Sequence, residues 1–543
     1  MTKNTGFLSK NLPFIVTGLV LAVVLYVRIR LLAVPLERDE GEFAYMGQLL
    51  LKGIPPFSHA YTMKLPGASM MYALFMFLFG QTPAGIHAGL LIVNGACIYL
   101  VYLLAKRLFD GNAALFSCAS YAVMSLSSPV NGVFAHATHF VVLFALSGFL
   151  LLLHTLDNRR VLLLLISGLC FGLAFTMKQH AAVLLLFAGL YYIWRVWRNP
   201  RINKKDGLTG GLLLLFAMLL PYALIVLWMV KTGSFSDFWF WTVQYAREYA
   251  STQTIPALMR GGINFADSLG RILKTEWPLW FMAGFGCLSV CMKKIYCTDR
   301  LFAYGLLLSS FMAVCPGLFF RGHYYVLLLP IVALFAGAGI SPVGALLSPH
   351  LSRQLAHFIP SILLVAVVIY SFYNEKEPFF EQNPLEVIRT VYGLNPFPEA
   401  QQIASYLKNN TNSAERIAVL GSEPQIYFYA DRLSATGHIY MYGLMEKQPN
   451  AERMQMQMIR EIEESQPKYV IVVNVYDSWL VQKASIKIVL DWIEEFVRTR
   501  YDQVGVIDIV DSKTTHYVWG DKAAGYTPVS GAYLTVHKRK DRK

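Results

Sequence analysis

Charge is scarce in this 543-residue chain: 15% of its residues are Asp, Glu, Lys or Arg, and 55% are hydrophobic. A soluble globule carries about 25% charged residues, so the composition excludes one. Cysteine is missing from residues 375–543, and the 7 cysteines present lie between Cys97 and Cys315. No disulfide framework can therefore staple the C-terminal part. The chain also has no CxxC pair, no Gly-rich phosphate loop, no tandem repeat and no low-complexity tract.

What is present in excess is apolar length. Mean hydropathy is +0.44, and hydrophobic runs near the length that crosses a bilayer, about 20 helical residues, recur from Pro13 to about Asn374 and then stop. The spans read as 13–36, 83–109, 112–128, 133–156, 161–178, 180–197, 208–231, 276–292, 301–320, 324–347 and 357–374. The first run is of full span length and lacks a small-residue cleavage site, so it is expected to remain as a membrane helix. The net charge of +13 is not gathered on one polar domain, as nucleic-acid binding requires. Instead the basic positions fall at Lys3, Lys10, Lys106-Arg107, Arg159-Arg160, Arg195 to Lys205, Lys293 to Arg300 and Arg353. With 11 crossings all of these share one side, the cytoplasmic one under the positive-inside rule, and the tail lies outside.

The expected division is a membrane domain over 1–374 and an extracytoplasmic α/β domain over 375–543. The tail alternates helical patterns at 398–409, 450–466 and 485–500 with β-rich runs at 417–420, 469–475, 504–510 and 532–536, the signature of a small α/β fold.

The polar island after the first span holds the most chemistry. Glu37-Arg38-Asp39-Glu40-Gly41-Glu42 leads through an amphipathic run to Tyr61-Thr62-Met63-Lys64-Leu65-Pro66-Gly67. Phe43, Met46, Gly47 and Leu50 fall on one face at i, i+3, i+4 and i+7, which predicts an amphipathic helix lying on the membrane surface. The apolar stretch Ala68 to Gly80 is too short to span and predicts a second one. Asp39 with Glu42 three residues on also fits a capping box at the first helix start.

Taken in order, Arg38 to Tyr45, Gly47 to Gly53, Met63-Lys64-Leu65-Pro66-Gly67, Lys106-Arg107-Leu108-Phe109 and Arg321-Gly322-His323-Tyr324-Tyr325 resemble the polytopic glycosyltransferases of the C-type fold. The nearest branch is that of the protein O-mannosyltransferases and lipid A aminoarabinose transferases. The likeness covers the membrane part, about two thirds of the chain, and its ordered set of motifs is more specific than any one of them.

That resemblance implies about 11 to 13 membrane helices and transfer of a sugar from a polyprenyl-phosphate donor to a lipid, glycan or protein acceptor on the outer face, with inversion. Such chemistry needs a base for the acceptor hydroxyl and cations for the departing phosphate. Asp39 matches the family's position for the first role, with Glu40 ranked second, and Lys64 matches the second. The family usually has two prolines after this lysine; here Leu65 replaces the first. Arg321 is the next phosphate candidate, since it stays charged and can bind two oxygens at once, with His323 and Tyr324 beside it. The other reading of that motif is an aromatic belt. A metal is left undecided, because an Asp-Glu pair can bind a cation and a lysine with an arginine can do its electrostatic work.

Lys178-Gln179-His180 interrupts two apolar spans, and a lysine at that depth calls for a partner or a task. It reads either as a donor-phosphate contact or as part of a structural hairpin. His136 and His139, three apart, are too few for a metal site. The stretch Thr232 to Glu276 reads as an outer loop, rich in aromatics that suit sugar rings, prenyl chains or the interface. Gly421 to Gln425 after a strand suits either a ligand loop or a turn with Ser422 as N-cap. The rival functions are a lipid-linked sugar flippase, which predicts charges buried along the midplane, and an oligosaccharide ligase of similar fold.

Overall fold

The computed structural model describes residues 2–158, 160–200, 203–251, 255–292 and 297–541, so Arg159, Arg201, Lys293 and Lys294, used above for sidedness, lie outside the described residues. Each of the eleven expected spans overlaps helical structure, with 324–347 divided among a 3-10 helix over Gly322–Leu327 and α-helices over Leu329–Ile340 and Val343–Leu347. Seven helices among the described residues are long and apolar enough to cross a membrane: Asn11–Arg30, Pro83–Leu108, Ala137–Asn158, Gln179–Arg198, Lys204–Lys231, Leu329–Leu347 and Leu355–Asn374. This is a multi-pass membrane protein, mostly helical, with a small C-terminal sheet. Gly111–Met124 and Val161–Met177 are apolar helices of 14 and 17 residues, short of the usual spanning length.

The chain folds as two compact units, one built from Met1–Leu31, His87–Leu227 and Thr252–Glu381, the other from Leu32–Ile86, Trp228–Ser251 and Gln382–Lys543. In the first unit the helices meet through small residues, as is usual where lipid gives no hydrophobic drive to association. A Cβ on Gly286 would lie 1.8 Å from the Phe335 carbonyl oxygen, and one on Gly339 would lie 2.2 Å from that of Met282. The expected loop at 232–276 is helical in most of its described length: Phe235–Trp239, a π-helical turn over Phe240–Tyr245, Ala246–Ser251, and a helix from Ile255 to Met292. That last helix breaks at Glu276, at φ −135° and ψ 17°, just before Pro278, which cannot donate a helical hydrogen bond.

The second unit carries a five-stranded sheet of order β1-β2-β5-β3-β4, with β1 Ile417–Leu420, β2 Tyr469–Asn474, β3 Tyr501–Ile509, β4 Thr515–Trp519 and β5 Tyr533–Arg539. β1 and β2 run parallel, joined by a crossover that contains the Ala451–Ser465 helix, and the other pairings are antiparallel. The four expected β runs are strands; β4 is an addition.

Both helices expected between residues 39 and 80 form, as Arg38–Leu51 and Gly67–Phe79. Their setting differs from the expectation. From Glu40 to Leu49 every residue of the first helix is buried, so it is not a helix with a single apolar face on the membrane surface. It belongs to the unit that holds the tail, because Gly41 lets it press against the Gln425–Ala430 helix: a Cβ there would lie 2.6 Å from the Gln425 backbone nitrogen. The opposite contact is to the Gly67–Phe79 helix, where a Cβ on Gly47 would lie 3.0 Å from both Ser69 O and Ala73 N.

Candidate active site

The start of the Arg38–Leu51 helix is set by Glu37. Its carboxylate accepts from Glu40 N at 2.8 Å, while Glu40 Oε2 accepts from Glu37 N at 3.2 Å. This reciprocal pair is a capping box, and it displaces the expected cap at Asp39. It also engages Glu40, which is fully buried, in holding the helix end.

Asp39, two positions into the helix, is left to point elsewhere. Its Oδ1 lies 2.7 Å from Lys64 Nζ and accepts from the Tyr440 hydroxyl at 3.1 Å. Glu42 shares this helix face three residues on, and its Oε2 lies 2.5 Å from the same Nζ. The Lys64 side chain passes over the rings of Phe43, at 4.7 Å, and Tyr440, at 5.2 Å. Its backbone is fixed by a turn in which Lys64 N donates to Thr62 Oγ1, and by Pro66, whose carbonyl accepts from Met70 N in the next helix. Leu65, where the family has proline, is buried.

Exposure separates the roles. The side chains of Lys64 and Asp39 are 23% and 14% exposed, whereas Glu42 is at 1%, so a ligand can meet the first two and not the third. Burial works against the Lys64 ammonium, but the Asp39 and Glu42 carboxylates outweigh it and hold its pKa above the ordinary value. Burial raises the Glu42 carboxyl above the usual range, with Lys64 opposing the rise. An ammonium has three hydrogens, and two of them go to Asp39 and Glu42.

Arg38 anchors this helix to the sheet. Its guanidinium donates to Ser422 O, Asn395 Oδ1, Tyr442 Oη and Glu423 Oε1, the last at 2.7 Å in a buried ion pair. The Gly421 to Gln425 turn is therefore a docking point for Arg38. Ser422 is not a helix cap either: the N-cap of the Gln425–Ala430 helix is Pro424, and Ser422 Oγ accepts from Met441 N.

In the membrane-helix unit the structure gathers a second set. Lys178 Nζ stands 4.3 Å from the centre of the Tyr324 ring, His180 packs edge-on to it at 4.7 Å, and His136 stacks on His323 at 4.1 Å. The Arg321 to Tyr325 motif is pressed against the turn after the Gly111–Met124 helix: a Cβ on Gly322 would lie 2.2 Å from Pro129 O. Arg321 itself lies over the Phe319 ring at 5.5 Å. Lys178 thus has an aromatic partner, which the sequence could not supply.

Sequence reasoning missed Tyr440 and the pairing role of Glu42. Tyr440 stands 401 residues from Asp39, and no local pattern around it signals the contact.

Comparison with known proteins agrees with this architecture. Residues 59–225 match the dolichyl-phosphate-mannose-protein mannosyltransferase family. Two undecaprenyl phosphate-alpha-4-amino-4-deoxy-L-arabinose arabinosyl transferases of Pseudomonas aeruginosa, strains LESB58 and PAO1, are 30% and 31% identical over 275 residues, 45% of this chain. The chain spans about half, 48%, of the length of these relatives. Among solved structures, ArnT from Cupriavidus metallidurans bound to undecaprenyl phosphate superimposes with a TM-score of 0.57 at 14% identity, covering 96% of this chain and 97% of that one. The apo oligosaccharyltransferase of Archaeoglobus fulgidus gives 0.54 at 13% identity, over 96% and 76%. The chain has the C-type glycosyltransferase fold. The expected resemblance to the mannosyltransferase and aminoarabinose transferase kind of C-type protein is borne out by these matches, and the C-type fold accounts for a membrane-helix unit accompanied by a sheet-bearing one.

Proposed function

We propose that this chain is a membrane glycosyltransferase that moves a sugar from a polyprenyl-phosphate donor to an acceptor hydroxyl. The observation that carries the reading is the Asp39–Lys64 pair, a carboxylate and an ammonium 2.7 Å apart and both partly open. Asp39 accepts the acceptor's proton as the acceptor oxygen attacks the anomeric carbon. The bond from that carbon to the phosphate oxygen breaks with its electrons left on phosphate, and Lys64 meets the charge that develops. Direct attack of this kind inverts the anomeric centre. Arg321, His323, Tyr324 and Lys178 are proposed as further contacts to donor phosphate, on the strength of the family motif and of their common setting in the membrane-helix unit.

The pattern of basic loops supports an inner, or plasma, membrane placement with the tail and the reacting pair outside the cytoplasm. The matches to lipid-linked sugar transferases support the donor class. The test is mass spectrometry of products made by the purified protein from a panel of polyprenyl-phosphate sugars. A glycosylated acceptor from one donor is the expected result. Movement of the intact lipid across vesicles without any product would select the flippase.

A further inference from the structure

We propose that Glu461, on the Ala451–Ser465 helix, is a positioning residue for the Asp39–Lys64 pair. The inference rests on reading that pair as the reacting site. Two chain segments each deliver a partner of Asp39: residues 61–64 end in Lys64, and residues 436–440 end in Tyr440. The two are joined at their base, where Tyr61 N donates to Gly437 O at 2.7 Å. Gly437 has to be glycine for this approach, since a Cβ there would lie 2.3 Å from the Tyr61 ring.

Glu461 pins that joint from both sides. Its Oε1 accepts from Tyr61 Oη at 2.9 Å and Gln457 Nε2 at 2.8 Å. Its Oε2 accepts from Thr436 Oγ1 at 2.6 Å and Gly437 N at 2.9 Å. Four donors converge on one side chain, and only a carboxylate can accept from all of them. Burial works against the Glu461 carboxylate, but the neighbouring His438 and then the hydrogen bonds from Thr436, Gly437 and Gln457 outweigh it and hold the carboxyl below its usual range. Behind the joint, Tyr61 stacks on Trp241 at 5.6 Å, so the segment cannot retreat. Three residues beyond the joint on each arm, Lys64 Nζ and Tyr440 Oη meet at Asp39 Oδ1. Glu461 touches neither reacting group and acts through the two arms.

The substitution Glu461→Gln is nearly isosteric but turns one oxygen into a donor, which must oppose either the Tyr61 and Gln457 pair or the Thr436 and Gly437 pair. Tyr61→Phe is the milder second variant and breaks one arm only. The readout needs no sugar donor: competitive labelling of the full-length protein with acetic anhydride, followed residue by residue by mass spectrometry. Only the neutral amine reacts, so loss of the carboxylate neighbours raises Lys64 labelling by about 10-fold for each unit its pKa falls. The expected result is Lys64 labelling at least about 10-fold faster in both variants, with Lys52, which pairs with Asp431 in the same unit, unchanged. Unchanged Lys64 labelling in both variants overturns the inference, and so does an equal rise at Lys52, which reports general loosening. In the transfer assay the same variants should lower kcat by about 10- to 100-fold, the scale of misplaced reacting groups. A double change with Asp39→Asn should be no slower than Asp39→Asn alone. If wild type transfers no sugar at all, the proposed function fails while the labelling result still stands or falls by itself.

Discussion

Lys64 Nζ lies 2.7 Å from Asp39 Oδ1 although 25 residues separate them. The Arg38–Leu51 helix supplies the carboxylate and the turn before Gly67 supplies the ammonium. Because Glu37 and Glu40 already cap the helix, the Asp39 carboxylate is turned to Lys64 and Tyr440 instead.

That separation of duties is testable with two conservative changes. Asp39→Asn should reduce turnover by about 100-fold or more, the scale for removing a general base, with little change in melting temperature. Glu40→Gln keeps an oxygen that can accept from Glu37 N, so it should leave both turnover and melting temperature near those of the unaltered protein. Steady-state transfer rates and thermal melts of both variants check the pair; a slow Glu40→Gln with a normal Asp39→Asn would exchange the two assignments.

Removing Lys64 leaves Glu42 buried without its cation. Lys64→Met should therefore destabilise by about 1 to 3 kcal/mol as well as weaken transfer. Adding Glu42→Gln should recover most of the stability and none of the transfer. Recovery of both in denaturation and activity assays would make Lys64 purely structural.

Gly41 allows backbone contact between the Arg38–Leu51 helix and the tail. Gly41→Val should disrupt that packing and lose several kcal/mol of stability, because the obstacle is main chain and cannot swing aside. By the same contact, a protein lacking residues 382–543 should not be stable, since Arg38 would lose Glu423. Limited proteolysis of both proteins reads the outcome.

His438 is fully buried beside Tyr61 and Trp241, and burial lowers its pKa from the ordinary 6.5 to about 4. The folded state therefore refuses a proton that the unfolded chain accepts. Stability is at its full value above about pH 6.5 and falls as the pH drops toward 4, by up to about 3 kcal/mol. Glu461 faces this ring and favours the proton, while Arg453 opposes it. Denaturant unfolding at pH 7.5 and 4.5 should show the loss, and His438→Asn should reduce it.

Sidedness has its own measurement. Single cysteines at Lys204 and Lys408, in a background free of cysteine, should label from opposite faces of the membrane. Labelling of both from one face would remove the extracytoplasmic placement of the tail.

Local sequence was enough for the membrane helices, because each is a run of apolar residues whose partition into lipid depends on its own composition. It was enough for the strands at Ile417–Leu420 and Tyr469–Asn474, where β-branched runs carry their own preference, and for a lysine fixed before Leu65-Pro66-Gly67. It placed Asp39 and Glu42 on one helix face, since a spacing of three guarantees that. The tertiary structure decided what those groups touch. Whether Asp39 or Glu37 caps the helix depends on the entry angle of the chain before residue 38. Tyr440 reaches Asp39, and Glu461 reaches Tyr61, across 401 and 400 residues. Such contacts are set by where the sheet and its crossover helix carry those side chains, and helical or strand periodicity records only what lies within a few turns of a residue.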